Sequence, residues 1–254
     1  ALSGPTQFNG QASDFRLYAT YPLIRSRYTN LNLRTDFSHS RLYDHSQNDP
    51  AYVPPAINPF VTSERRINLV QVALSGDETH DFLPNGTTLF DATVAAGSLD
   101  IVGNDAYRAF DTSGPKTDGG FGRFNFSLRR LQHLAGPWSL YGSLDGQLAS
   151  RNLDASQRYY LGGATAQAGY PVGESNGDQG GQVHVELRRD FIPSWGGSLQ
   201  AGLFYSQGWV QRFKTPGLPT NNHESLMSIG IQLTQSVDSS WVVRGLIGWQ
   251  LGCD

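Results

Sequence analysis

The side chains able to do chemistry are scattered, except at residues 183–188. There His184, Glu186 and Arg188 take every second position, with Val183, Val185 and Leu187 between them. A period of two places the three polar groups on one face of a strand and the three aliphatics on the other. Such a face can pair ions and hold water, and no catalytic constellation stands out along the chain. The remaining histidines, His39, His45, His80, His133 and His223, form no HExxH-type pair. His184 therefore reads as a polar strand residue and not as a metal ligand. No G-x-S-x-G elbow occurs. The glycines from 162 to 181 resemble a phosphate loop only in composition, because no Lys-Ser/Thr follows and the next element reads as a strand. Cys253 is the single cysteine, which leaves no disulfide framework and no Cys-based zinc site within the chain. These features predict a protein that is not an enzyme and uses no metal and no cofactor.

A strand with charge on one face and aliphatics on the other lies between two solvents. In a soluble β-sandwich these are water and core; in an outer-membrane barrel they are a wet lumen and lipid. Composition fits either, since 29 glycines and 11% aromatics accompany only 16% charged residues. That balance suits a sheet protein with many turns better than a disordered chain or a coiled coil. A net charge of −3 provides no basic footprint for nucleic acid. Cysteine scarcity fits an oxidising compartment. No run approaches the roughly 20 apolar residues of a membrane helix, a test that alternating barrel strands never meet.

Alternation recurs along the chain. Phe15, Leu17, Ala19 and Tyr21 share one face, as do Leu31, Leu33, Thr35 and Phe37. The same holds for Phe124, Phe126 and Leu128; for Trp138, Leu140 and Leu144; for Met227, Ile229, Ile231 and Leu233; and for Trp241, Val243, Ile247 and Trp249. With less regular segments near 64–75, 87–98 and 197–208, and with 181–191, the count is ten strands. No segment of 12 or more residues carries a helical stripe. Links near 22–27, 77–85, 135–137, 192–196 and 237–240 are short or intermediate. Those near 43–63, 99–119, 151–180 and 210–223 are long. Strict alternation of short and long links is the rhythm of an antiparallel barrel with brief periplasmic turns; Greek-key sandwiches have no reason to keep it. Trp138, Trp195, Trp209, Trp241 and Trp249 lie at or near strand ends, as interfacial girdles would require. Arg129 is expected to face the lumen and Arg130 the membrane edge.

The stretch 152–188 also carries a family resemblance. NLDASQRYYLGG, then Gly169-Tyr170-Pro171-Val172-Gly173-Glu174, then Gly177-Asp178-Gln179-Gly180 and Val185-Glu186-Leu187-Arg188 resemble the signature of two-partner-secretion transporters (TpsB), the haemolysin secretion/activation family of ShlB, FhaC and HecB. Residues 16–42, 120–134 and 201–208 look like further barrel strands of that family. The resemblance implies an all-β fold, a portion of a sixteen-stranded transmembrane barrel of the BamA superfamily. Residues 1–254 would be its C-terminal region, with about ten strands and a lid loop at about 151–180. The periplasmic POTRA domains, the first barrel strands and the closing strand would lie outside this chain.

The function implied is secretion of a large unfolded exoprotein, of haemolysin or adhesin type, through the outer membrane of a Gram-negative cell. Its partners would be a TpsA-type substrate and membrane lipid, and the protein would act as a monomer. Two alternatives stand beside it: an outer-membrane assembly factor of the same superfamily, and a soluble β-sandwich binding protein. The lid motif falls on Gln167, Ala168, Gly169, Tyr170, Pro171, Gly173 and Glu174, and His184, Glu186, Arg188 and Arg244 would face the lumen. Two departures matter. The family's lid Arg falls on Ala168, and its partner Asp in the following strand falls on Ser206. Losing both removes a charge pair without stranding either charge, so the resemblance implies a lid lock altered at both positions.

Overall fold

The computed structural model describes residues 7–47, 62–79, 84–163, 167–194, 196–217, 221–237 and 241–252. His80, Trp195 and Cys253 lie outside them. The strands are β1 (Gln7–Arg25), β2 (Thr29–Gln47), β3 (Thr62–Thr79), β4 (Gly86–Val102), β5 (Gly119–His133), β6 (Trp138–Ala149), β7 (Tyr159–Leu161), β8 (Ser175–Gly177), β9 (Gln179–Phe191), β10 (Ser198–Gln211), β11 (His223–Ser236) and β12 (Val242–Leu251). Ten of them form one antiparallel sheet in the order β1-β2-β3-β4-β5-β6-β9-β10-β11-β12, and β7 and β8 pair separately. A single ten-stranded sheet is not a sandwich of two packed sheets, so the soluble-sandwich alternative falls. Strands β1 and β12 are the two edges of the sheet.

Register follows the alternation. Glu186 pairs with Tyr141 of β6 and Phe204 of β10, while Leu187 pairs with Leu140 and Leu203. Because directly paired residues share a face, the inner row and the outer aliphatic row each continue across strands. Phe15, Leu17, Val70, Val94, Leu187, Leu203 and Ile247 are all exposed on the aliphatic side. Trp138, Trp209, Trp241 and Trp249 are exposed there too. Trp138 and Trp241 stand beside short links, and Trp209 and Trp249 lie nearer the long loops. Arg129 shares the inner face with Ser143, and Arg130 lies outside, bonded to Thr88 at 2.5 Å and to Gln132.

Two features depart from the sequence reading. The long link after β4 contains a helix, α1 (Asp105–Ser113), capped by the Asn104 side chain accepting from the Tyr107 amide. At nine residues it is shorter than the window searched for a helical stripe. Nor is the inner face polar throughout. Ile67, Leu69, Ala95, Leu99, Ile101, Phe121 and Ala149 form a buried inner cluster, closed over by Leu153. An apolar patch on an inner wall is stable only if something covers it, and here the loop after β6 does so.

Candidate functional site: the inner wall and the loop that lies on it

The inner wall of β6, β9 and β10 holds a compact polar cluster. Glu186 is 2% exposed and accepts from Arg188 Nη2 at 2.6 Å and Nε at 2.9 Å. The Arg188 guanidinium also lies 4.5 Å from the Tyr141 ring centre. His184 Nε2 is 3.8 Å from Glu186, and its Nδ1 is 2.6 Å from the Ser206 hydroxyl. The His184 ring stacks on Phe204 at 5.4 Å. A buried carboxylate needs a cation and further hydrogen bonds to persist; Arg188 supplies the cation and two bonds to Oε2, while Oε1 has no hydrogen-bond partner among the described residues. His184, Glu186, Arg188 and Ser206 thus form one group. Arg244 is on the same face but at β12, where it is exposed and pairs across the ladder with Thr234.

The loop between β6 and β9 folds back along this wall. Its stem is held by charge. Asp178 is fully buried and accepts from the amides of Leu153 at 3.0 Å and Lys214 at 2.8 Å, with Arg158 Nε at 3.3 Å. Burial pushes the Asp178 carboxyl up, opposed by those two amides and by Arg158. Asn152 bridges the carbonyls of Pro115 and Thr215 and accepts from the Thr215 amide at 2.7 Å. Asp154 meets Arg65 at 2.5 Å. Tyr159 donates to Asp145 at 2.5 Å, and Gln147 Nε2 donates to the carbonyls of Gln157 and Asp178.

The tip is held differently. Gln167 and Ala168 are buried. The Gly169 carbonyl accepts from Gln250 Nε2 at 2.8 Å, and the Tyr170 hydroxyl donates to the Met227 carbonyl at 3.2 Å. Tyr170 therefore reaches β11 from within, not from beyond the rim. Two glycines make the seat. A Cβ on Gly248 would stand 2.7 Å from Ala168, and one on Gly208 would stand 2.8 Å from Leu161 and 3.0 Å from Gln167. At Gly248 the atoms met are the backbone and Cβ of Ala168, so any side chain there must push the tip back; at Gly208 they are the ends of the Leu161 and Gln167 side chains, which can give.

Among the predicted lid residues, Gln167, Ala168, Gly169 and Tyr170 touch the wall. Gly169 and Gly173 turn the chain at φ of +99° and +75°. Pro171 and Glu174 are exposed; Glu174 borders a cleft with Arg158, Arg212 and Glu224. The two altered lock positions lie apart. Ala168 rests on β12 and Ser206 bonds His184 on β9, with β11 between β10 and β12. Sequence reasoning missed Asn152, Asp154, Asp178, Gly208, Gly248 and Gln250 as contacts of this loop. Asn152, Asp154 and Asp178 fall inside the block that carries the family resemblance. The two seat glycines and Gln250 carry no local signal, because their partners are about 40 to 80 residues away in sequence. Among the described residues, no group of three His, Cys, Asp or Glu side chains is placed to hold a metal ion.

No family model matches the chain. Its sequence is similar to the heme/hemopexin transporter protein HuxB of Haemophilus influenzae strain 86-028NP, 26% identical over 243 residues. That match takes in 94% of this chain and 40% of the relative. HuxB of the Rd strain is 24% identical over 242 residues, with the same coverage. The chain thus spans about two fifths of the length of the curated relatives it matches. In fold it is similar to CdiB from Escherichia coli, with a TM-score of 0.73 and 16% identity, covering 97% of this chain and 43% of that one. Sequence and fold together make this chain a stretch of outer-membrane β-barrel related to the two-partner-secretion transporters, and the resemblance first seen at 152–188 extends along almost all of it.

Proposed function

We propose that the full-length protein is a TpsB-type transporter that conducts a large unfolded exoprotein through its lumen across the outer membrane. The observation that carries this reading is the loop from 151 to 178, which lies on the inner wall with its tip against β10, β11 and β12. A loop in that place stands in the path of anything crossing the lumen, so it must move for cargo to pass. The work is conduction and not catalysis. The protein acts as a monomer with its aliphatic face in lipid. Its partner is a TpsA-type exoprotein, and the heme/hemopexin wording of the HuxB name makes a haem-related exoprotein the first cargo to try. The chain is the C-terminal barrel region, and further strands and periplasmic domains of the full protein complete it. The coverage of about 40% of HuxB supports this, as do two edge strands that each need a neighbour.

A reversible staple tests the reading. In the full-length protein with Cys253→Ser, Ala168→Cys and Gly248→Cys bring two thiols together at the seat. A shift of about 1 Å gives them disulfide spacing. Oxidation should stop secretion and lower conductance in planar bilayers, and reduction should restore both. Undiminished secretion with the staple closed would show that the tip need not move, and the gating role would be lost.

A further inference from the structure

Arg189 is on the aliphatic side of β9, near the short link to β10. Its guanidinium lies 5.2 Å from the Trp138 ring centre and 4.9 Å from that of Phe191. Both distances are within the range of a cation–π contact. Two rings hold the group in place while its N–H donors find no acceptor among the described residues and no carboxylate within ion-pair distance. Arg130, the outward arginine of β5, differs in having Glu78 at 3.8 Å as well as Thr88 and Gln132.

The neighbours of Arg189 define a shape. Across the ladder it pairs with Trp138 on one side and with Ala201 on the other. Ala201 is much smaller than Trp138, so the β10 side of Arg189 is the less crowded one. The next outward row is Leu140, Leu187 and Leu203, all exposed. Trp209 is eight residues beyond Ala201 along β10. At about 3.3 Å per residue and a tilt near 40° this places Trp209 roughly 20 Å higher, close to the height of a barrel's apolar band. Arg189 therefore sits at the boundary of that band, at the short-link end, which in this architecture is the periplasmic side.

We propose that Arg189, Trp138 and Phe191, with Ala201 alongside, form a binding site for a glycerophospholipid of the periplasmic leaflet. The phosphodiester would take the free edge of the guanidinium, whose planar fork suits paired bonds to phosphate oxygens. The acyl chains would lie along Leu140, Leu187 and Leu203. The charge complements a group carrying one negative charge, and the apolar row above complements its tails. A free phosphate ion matches only the first of these. The inference rests on the reading of the aliphatic face as lipid-facing.

The test uses the full-length protein reconstituted in nanodiscs of phosphatidylethanolamine and phosphatidylglycerol, with retained lipid counted by native mass spectrometry after detergent release. Arg189→Ala should lower phosphatidylglycerol retention about fivefold, the scale of one basic residue at a membrane surface. Arg189→Lys should recover part of it, because it keeps the charge but loses the planar fork. Arg130→Ala should leave it unchanged. Excess inorganic phosphate should not displace the lipid. Heat-modifiable gel mobility confirms that each variant is folded. Equal retention by folded Arg189→Ala overturns the site, and displacement by inorganic phosphate overturns the lipid as its occupant. Failure of the unaltered protein to fractionate with membranes would overturn the lipid-facing reading itself, and the site with it.

Discussion

The two ends of the inward loop are secured by different physics. The stem, residues 152–160 and 174–178, is tied down by buried charge and by side chains that bond backbone amides. Asp178 and Asn152 each reach groups distant in sequence, and Arg65 crosses from β3 to Asp154. The tip, residues 167–170, has two hydrogen bonds to the wall and otherwise rests on glycine. Removing a buried charge from its partners is costly, whereas lifting the tip breaks two neutral hydrogen bonds and lets the buried, unbonded Gln167 amide reach water. The contrast is between a root fixed by buried charge and an end that rests on glycine.

The strongest way to break the comparison is at the root. Asp178→Ala should cost about 3 kcal/mol, because two amides and Arg158 lose their acceptor in a buried place. Thermal unfolding and hydrogen exchange at 152–158 and 212–215 would read it. If exchange rose only at 167–170, the stem would not be the root. A smaller effect is expected at the seat. Gly248→Val should displace the tip at a cost of about 1–3 kcal/mol, since the new side chain would occupy the space of Ala168. Labelling of a cysteine placed at Gln167 should become fast while the stem stays protected. Gln250→Ala should weaken the tip by about 1 kcal/mol, the usual worth of one hydrogen bond, with a modest gain in open-channel events as the readout. The smallest effect concerns the altered lock. Ala168→Arg with Ser206→Asp should show a coupling below about 0.5 kcal/mol, because separated sites without shared partners act additively. The seats of the two residues are two strands apart, and Ser206 already bonds His184. A double-mutant cycle with a clearly larger favourable coupling would show that an arginine at 168 spans that gap, and that charge can replace the glycine seat.

Much of the architecture was legible before any coordinates. Strand number, the facing of Val183 to Arg188 and the short–long rhythm of links all follow from local alternation. A residue's face depends only on its parity within a strand, and a slip of one would turn every aliphatic inward. Helix α1 escaped because nine residues in a Gly- and Asp-containing link give too short a stripe. The inner apolar patch escaped because Ile67, Leu99 and Phe121 each look like ordinary strand residues. Their meeting depends on the register of three strands.

What the sequence determined by itself is therefore the sheet and its two faces, since alternation is a property of neighbours in the chain. It also carried the resemblance at 152–188, which pointed to a loop turned inward. What the tertiary structure alone decided is where that loop is fastened. Asp178 at its amides, Ala168 on Gly248 and Gln250 on Gly169 are meetings between residues about 25 to 80 apart in sequence. Such meetings leave no periodic trace, because a glycine that receives a partner and a glycine that merely turns the chain are the same letter. Only packing, which brings a particular backbone within 3 Å of a particular side chain, tells them apart.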